Sequence, residues 1–269
     1  MNTREHPIGI FDSGIGGLTV AHAIKELMPR ESLIYFGDTA HLPYGDKSEA
    51  AIQAYSVKIA DVLLQRGCKA IVIACNSASS SAYELLKEYV GSKALVVNVI
   101  DPMIEHVRSN FPDSNIGLIG TRRTVDSKIY ATRIAEVADS VHLSSLATPL
   151  LVPMIEEGFF DNRISSEIIA TYLDDPSLAD IQAIILGCTH YPLIRQQIDA
   201  YYGGGVSVLD SSLITALHLK DLLEEKDMLC EKCEGEDEFL VSDYTESFQA
   251  STRLFFGEKV RLTNYRLWE

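Results

Sequence analysis

Apolar residues fall along this chain in short runs rich in Ile and Val, separated by longer stretches in which they recur at helical spacing. The runs at 8–11, 33–36, 70–74, 95–99, 116–119, 141–143, 183–186 and 206–209 lack the alternation of a half-exposed strand. Continuous apolar runs of this length fit strands covered on both faces, as in a parallel sheet. Helical periodicity follows most of them, most clearly at 19–27, 48–66 and 79–89 in the first half. The pattern predicts an α/β protein.

Setting the halves against each other gives a weak internal repeat with an offset of about 110 residues. Residues 7–13 answer 115–121, 32–35 answer 140–143, 70–75 answer 183–188, and 98–101 answer 207–210. The repeat predicts two pseudo-symmetric domains, each a parallel-sheet α/β sandwich, with the active site in the cleft between them. The expected division is 1–98 plus 211–269 for the first domain and 99–210 for the second. In the C-terminal part, 212–225 reads as a helix and 252–268 as a basic, aromatic tail that packs back on the first domain. The acid-dense stretch 224–238 reads as a solvated excursion.

Composition narrows the partners. Among 269 residues, 46% are hydrophobic, enough for a sizeable core or two smaller ones, and the 23 Lys and Arg face 38 Asp and Glu for a formal charge of -15. Such a surface repels phosphate backbones and anionic membranes, so nucleic acid and membrane are not expected as general partners. A small anionic substrate remains compatible, because backbone amides at helix N-termini bind carboxylates locally. With no apolar leader-like stretch behind Met1 and no run of roughly 18 apolar residues, the expected location is cytoplasmic. Five cysteines, odd in number and irregularly spaced, suit a reducing compartment with free thiols.

The repeat places Cys75 and Cys188 at the C-terminal ends of equivalent strands, where ligands bind in open α/β sheets. A lone cysteine beside a core strand is most simply a packing residue, as Cys68 illustrates, but two at equivalent strand ends point to chemistry. A helix after Cys75 is expected to lower its thiol pKa and favour thiolate. His190, two residues after Cys188, fits either a proton partner or a loop anchor. Asp12, before the glycines at 14, 16 and 17, fits a helix N-cap, a turn residue or a functional acid. Those glycines miss the third position of a dinucleotide fingerprint, where Thr19 stands, and suit close approach to a small carboxylate. The loop holding Tyr44 and Gly45 reads as a turn or a pocket wall. Glu156 falls at the corresponding place in the second half, where a solvated acid is the plain alternative. Cys230 and Cys233 form a lone C-x-x-C, incidental unless redox-active or an adventitious zinc half-site.

Taken together, Asp12-Ser13-Gly14-Ile15-Gly16-Gly17, Pro43-Tyr44-Gly45, Ala74-Cys75-Asn76-Ser77-Ala78 and Gly187-Cys188-Thr189-His190-Tyr191-Pro192 resemble glutamate racemase, within the aspartate/glutamate racemase superfamily. The family more often has Thr where Ser77 stands, and serine keeps the hydroxyl. His190 points to glutamate, since the aspartate enzymes resemble one another in having an acid after the second Cys-Thr. The resemblance implies a cofactor-independent isomerase that inverts glutamate Cα, with Cys75 taking the proton from D-glutamate and Cys188 from L-glutamate. It further implies Asp12 assisting Cys75, and His190 with Glu156 assisting Cys188. Ser13, Tyr44, Gly45, Asn76, Ser77, Thr121, Thr189 and His190, with Asp12, are implied as substrate-binding. No pyridoxal phosphate or metal is implied, and a homodimer supplying D-glutamate for peptidoglycan is. Two other readings use the same residues: a cysteine hydrolase built on one thiol with His190, and a two-lobed protein that binds an acidic amino acid.

Overall fold

The structure is a computed structural model describing residues 3–138, 140–230 and 235–268. The first part of the chain runs through β1 (Ile8–Asp12), α1 (Leu18–Leu27), β2 (Leu33–Gly37), α2 (Glu49–Gln65), β3 (Ala70–Ile73), α3 (Asn76–Val90), β4 (Leu95–Asn98) and α4 (Asp101–Asn110). The second follows with β5 (Asn115–Gly120), α5 (Arg122–Asp126), α6 (Ile129–Val137), β6 (His142–Ala147), α7 (Leu151–Glu156), α8 (Arg163–Leu173), β7 (Ala183–Gly187), α9 (Arg195–Tyr201) and β8 (Ser207–Asp210). The chain ends with α10 (Ser211–Glu225), β9 (Glu238–Val241), α11 (Glu246–Phe256) and β10 (Leu262–Asn264).

Two all-parallel sheets result. One has the order β10-β9-β2-β1-β3-β4 and the other β6-β5-β7-β8, so the first four strands of each half are arranged identically. Every residue of β1, β2, β3 and β7 is buried, the reason these strands read as unbroken apolar runs. The predicted repeat is therefore present, with two corrections of register. Ile8 pairs with Leu33 and Ile116 with Leu143, so Leu143 rather than Val141 is the counterpart of Leu33. Likewise Ile73 pairs with Asn98 and Leu186 with Asp210, making Asn98 the counterpart of Asp210. Both residues of the second pair hold the backbone that leaves the sheet. Asn98 accepts hydrogen bonds from the Ile100 and Asp101 N–H groups at 2.7 and 2.8 Å, and Asp210 caps α10 through Ser212 N–H at 2.8 Å.

Beyond the repeat, β9 pairs with β2 and β10 with β9, which widens the first sheet. The tail packs back on that sheet's side as expected: Trp268 Nε1 donates to Asp38 Oδ1 at 2.9 Å, just beyond β2. Asp38 is fully buried and also accepts from Tyr44 Oη and Ser242 Oγ, each at 2.7 Å. The expectation of free thiols throughout holds for Cys68, Cys75 and Cys188 but not for Cys230, which is buried and disulfide-bonded. Cys233 lies outside the described residues. Among those described, no helix is long and apolar enough to cross a membrane, and no group of three His, Cys, Asp or Glu is placed to hold a metal ion.

Candidate active site

Cys75 follows β3 and occupies the N-cap position of α3, a helix of 15 residues that begins at Asn76, three residues earlier than predicted. The helix stops at Gly91, whose φ of 55° lies in the region open to glycine. Cys188 follows β7 in the same way, but a short 3-10 turn over Tyr191–Ile194 succeeds it instead of a long helix. Both thiols line one cleft, a narrow one with about 30 Å³ of free volume. Ser13, Gly45, Asn76, Ser77, Thr121, Thr189 and His190 line it too. So do Gly187, which opens the second cysteine motif, and Val152, which carries no chemical signal in the sequence.

The two halves interlock around this cleft. Ser77 Oγ and Thr121 Oγ1 are 2.9 Å apart, Thr19 Oγ1 donates to the Thr189 carbonyl at 3.0 Å, and Thr189 Oγ1 lies 3.5 Å from Asp12 Oδ1. A Cβ on Gly16 would sit 2.5 Å from the His190 ring and 2.7 Å from Thr189 Oγ1. This glycine therefore serves close approach of the opposite half, where the sequence suggested approach to a carboxylate. Gly14 N–H is likewise committed, donating to Asp12 Oδ2 at 3.1 Å.

Each thiol has its own neighbours. Cys75 Sγ lies 3.7 Å from Ser13 Oγ. Although Cys75 stands at a helix start, its pKa is pushed up to about 12, first by burial at 6% exposure and next by the Asp12 charge. The opposing Ala78 N–H and Ser13 hydroxyl are too weak to offset these, so the expected lowering of the thiol does not occur. Asp12 itself is fully buried and raised by that burial, against the pull of His190 and the amides of Gly14 and Gly17. It is not the N-cap of α1, a position held by Gly17 without a side-chain bond.

On the other side, His190 Nδ1 lies 3.7 Å from Cys188 Sγ and Nε2 lies 3.0 Å from Glu156 Oε1. Burial alone would push the imidazole pKa down, yet the hydrogen bonds and charges of Cys188 and Glu156 outweigh it and raise it to about 10. His190 thus carries its proton at neutral pH. Glu156 ends α7, with its side chain 37% exposed, and reaches His190 without lining the cleft. Tyr44 and Asp12 also stand behind the lining. The Tyr44 hydroxyl is committed to Asp38 and its ring is buried, so in this structure only its neighbour Gly45 faces the cleft. Tyr130 was not singled out by sequence, yet it reaches Asn76 from the second half, 54 positions away. No motif could have indicated it.

Paired thiols at equivalent strand ends, enclosed with hydroxyl and amide donors, make this cleft the candidate site for chemistry on a small polar molecule. The chain belongs to the Asp/Glu/Hydantoin racemase family, whose pattern matches residues 17–219. It is 40% identical over 260 residues to the glutamate racemase of Thermus thermophilus, covering 97% of this chain and 96% of that one. To the glutamate racemase of Chlorobaculum parvum it is 36% identical over 255 residues, covering 94% and 93%. The crystal structure of glutamate racemase from Francisella tularensis in complex with D-glutamate matches with a TM-score of 0.92 at 35% identity, over 98% of this chain and 99% of that one. The likeness to glutamate racemases that the four motifs carry thus extends over nearly the whole chain.

Proposed function

We infer that this protein is a glutamate racemase that interconverts L- and D-glutamate by proton transfer at Cα between Cys75 and Cys188. The observation that carries the reading is the pair of thiols, one at each equivalent strand end, lining a single cleft. From L-glutamate, Cys188 as thiolate takes the Cα proton and becomes a thiol, leaving the electron pair on Cα. Cys75 then gives its own proton to the opposite face and becomes a thiolate. The reverse sequence serves D-glutamate, and no cofactor enters. The raised Cys75 pKa suits it to wait as the donor, and the protonated His190 beside Cys188 suits that side to exchange protons. Asp12 is assigned to assist Cys75, and His190 with Glu156 to assist Cys188.

Substrate contacts are assigned to Ser13, Gly45, Asn76, Ser77, Thr121, Thr189 and His190, supported by their place around the cleft, with Tyr44 and Asp12 acting from behind it. The division into 1–98 with 211–269 and 99–210 is supported by the membership of the two sheets. We further propose supply of D-glutamate for peptidoglycan, hence cell-wall synthesis and cell shape, a cytoplasmic location and a homodimer, without nucleic acid or membrane as partners.

One observation favours a second reading: Cys188, His190 and Glu156 line up as nucleophile, imidazolium partner and orienting acid, as in the thiolate–imidazolium pair of a cysteine hydrolase. That array leaves Cys75 without a task. The deciding experiment follows Cα deuterium incorporation from D2O into L- and D-glutamate, with no added cofactor, for the parent, Cys75→Ser and Cys188→Ser. Exchange with inversion in the parent, lost by at least about a hundredfold in either variant, is the racemase outcome. Absence of exchange, or dependence on Cys188 alone, overturns it.

A further inference from the structure

Asn76 is the first residue of α3, adjacent to Cys75, and lines the cleft at 2% exposure. Its carbonyl oxygen Oδ1 accepts a hydrogen bond from the Tyr130 hydroxyl at 2.8 Å, while its amide nitrogen Nδ2 is buried with no partner. Tyr130 is on α6 in the second half, only 1% exposed, and does not line the cleft. A buried donor without an acceptor is costly, and a ligand oxygen placed against it would remove that cost. A carboxamide has an accepting and a donating end, interchanged by a half-turn, so whichever partner fixes one end decides what the other offers. Burial raises the pKa of the Tyr130 phenol far above its ordinary value, so the hydroxyl keeps the proton with which it holds the carbonyl end.

We infer that Tyr130 is a positioning residue for substrate binding: by holding Asn76 Oδ1 it leaves Nδ2 presented to a carboxylate oxygen of glutamate, and withholds the repelling carbonyl. Because the hydroxyl reaches across from the second half to α3, the donor is set only while the two halves are together. Substrate recognition at the Cys75 side is in this way tied to closure. The inference rests on the glutamate racemase reading, and it adds a residue that touches neither the reacting carbon nor the cleft.

The test is steady-state racemisation of L- and D-glutamate by the parent, Tyr130→Phe, Asn76→Ala and the double variant. Tyr130→Phe should raise KM roughly tenfold while kcat stays within about threefold, as for loss of an interaction made equally in ground and transition states. Added to Asn76→Ala, the same change should have no further effect, because no amide remains to be oriented. Asn76→Ser replaces Asn76→Ala as the background should the latter not fold. An unchanged KM in Tyr130→Phe, or an equal KM increase in both backgrounds, overturns the inference while parent turnover leaves the racemase reading standing. A parent that does not turn over either enantiomer overturns that reading and this inference with it.

Discussion

Cys75 and Cys188 occupy equivalent places yet meet opposite electrostatic surroundings: a buried carboxylate beside one, a protonated imidazole beside the other. A site of this kind is poised unevenly although the fold is repeated. The raised Cys75 pKa has a directly measurable consequence. Only the thiolate is alkylated, and its fraction grows as pH rises toward the raised value of about 12. Site-resolved iodoacetamide labelling of Cys75 should therefore be slow at neutral pH and accelerate about tenfold per pH unit between roughly pH 7 and 10. A rate that levels off near neutrality would mean that Asp12 and burial do not hold the proton there.

At the scale of elements, the loop carrying Tyr44 and Gly45 is braced from outside the repeat. Asp38 gathers Tyr44, Ser242 and Trp268, so the C-terminal tail and the loop share one buried carboxylate. Trp268→Phe removes the indole donor while keeping a ring against His41 and Tyr55, which surround it. Urea unfolding should show a loss of ~1–2 kcal/mol, the worth of one hydrogen bond to a charged group at a partly exposed position. An unchanged midpoint would show that Tyr44 and Ser242 suffice. Strands buried on both faces were legible in the sequence because nothing interrupts their apolar runs. The later part of β6 was not, since Ser144 and Ser145 break the run in an edge strand that is nowhere fully buried. Nor were β9 and β10, of four and three residues, too short to carry a period of their own. At the site, Cys75, Cys188, Asn76, Thr189 and His190 were legible because each sits in a compact motif at a strand end. Val152 and Tyr130 were not, because their relation to the cleft arises only when separate helices are packed.

For the whole molecule, the cleft depends on how closely the halves approach. Gly16→Ala would drive a methyl group into His190 and Thr189 together. The expected result is a fall of at least about tenfold in kcat/KM for either enantiomer, with a much smaller change in melting temperature, because a small misplacement of reacting groups weighs on rate. Retained turnover would show that the two loops yield independently. The chain passes between the sheets twice, after Asn98 and after Asp210, and at each passage that side chain accepts from backbone N–H groups two or three residues on. A body hung from two such fastenings is not free to swivel as one hung from a single linker is. The motion such a double connection leaves open is rotation about the line joining the two points. The thiols would then part and meet again along one arc, and a substrate leaving in either mirror form departs through the same door.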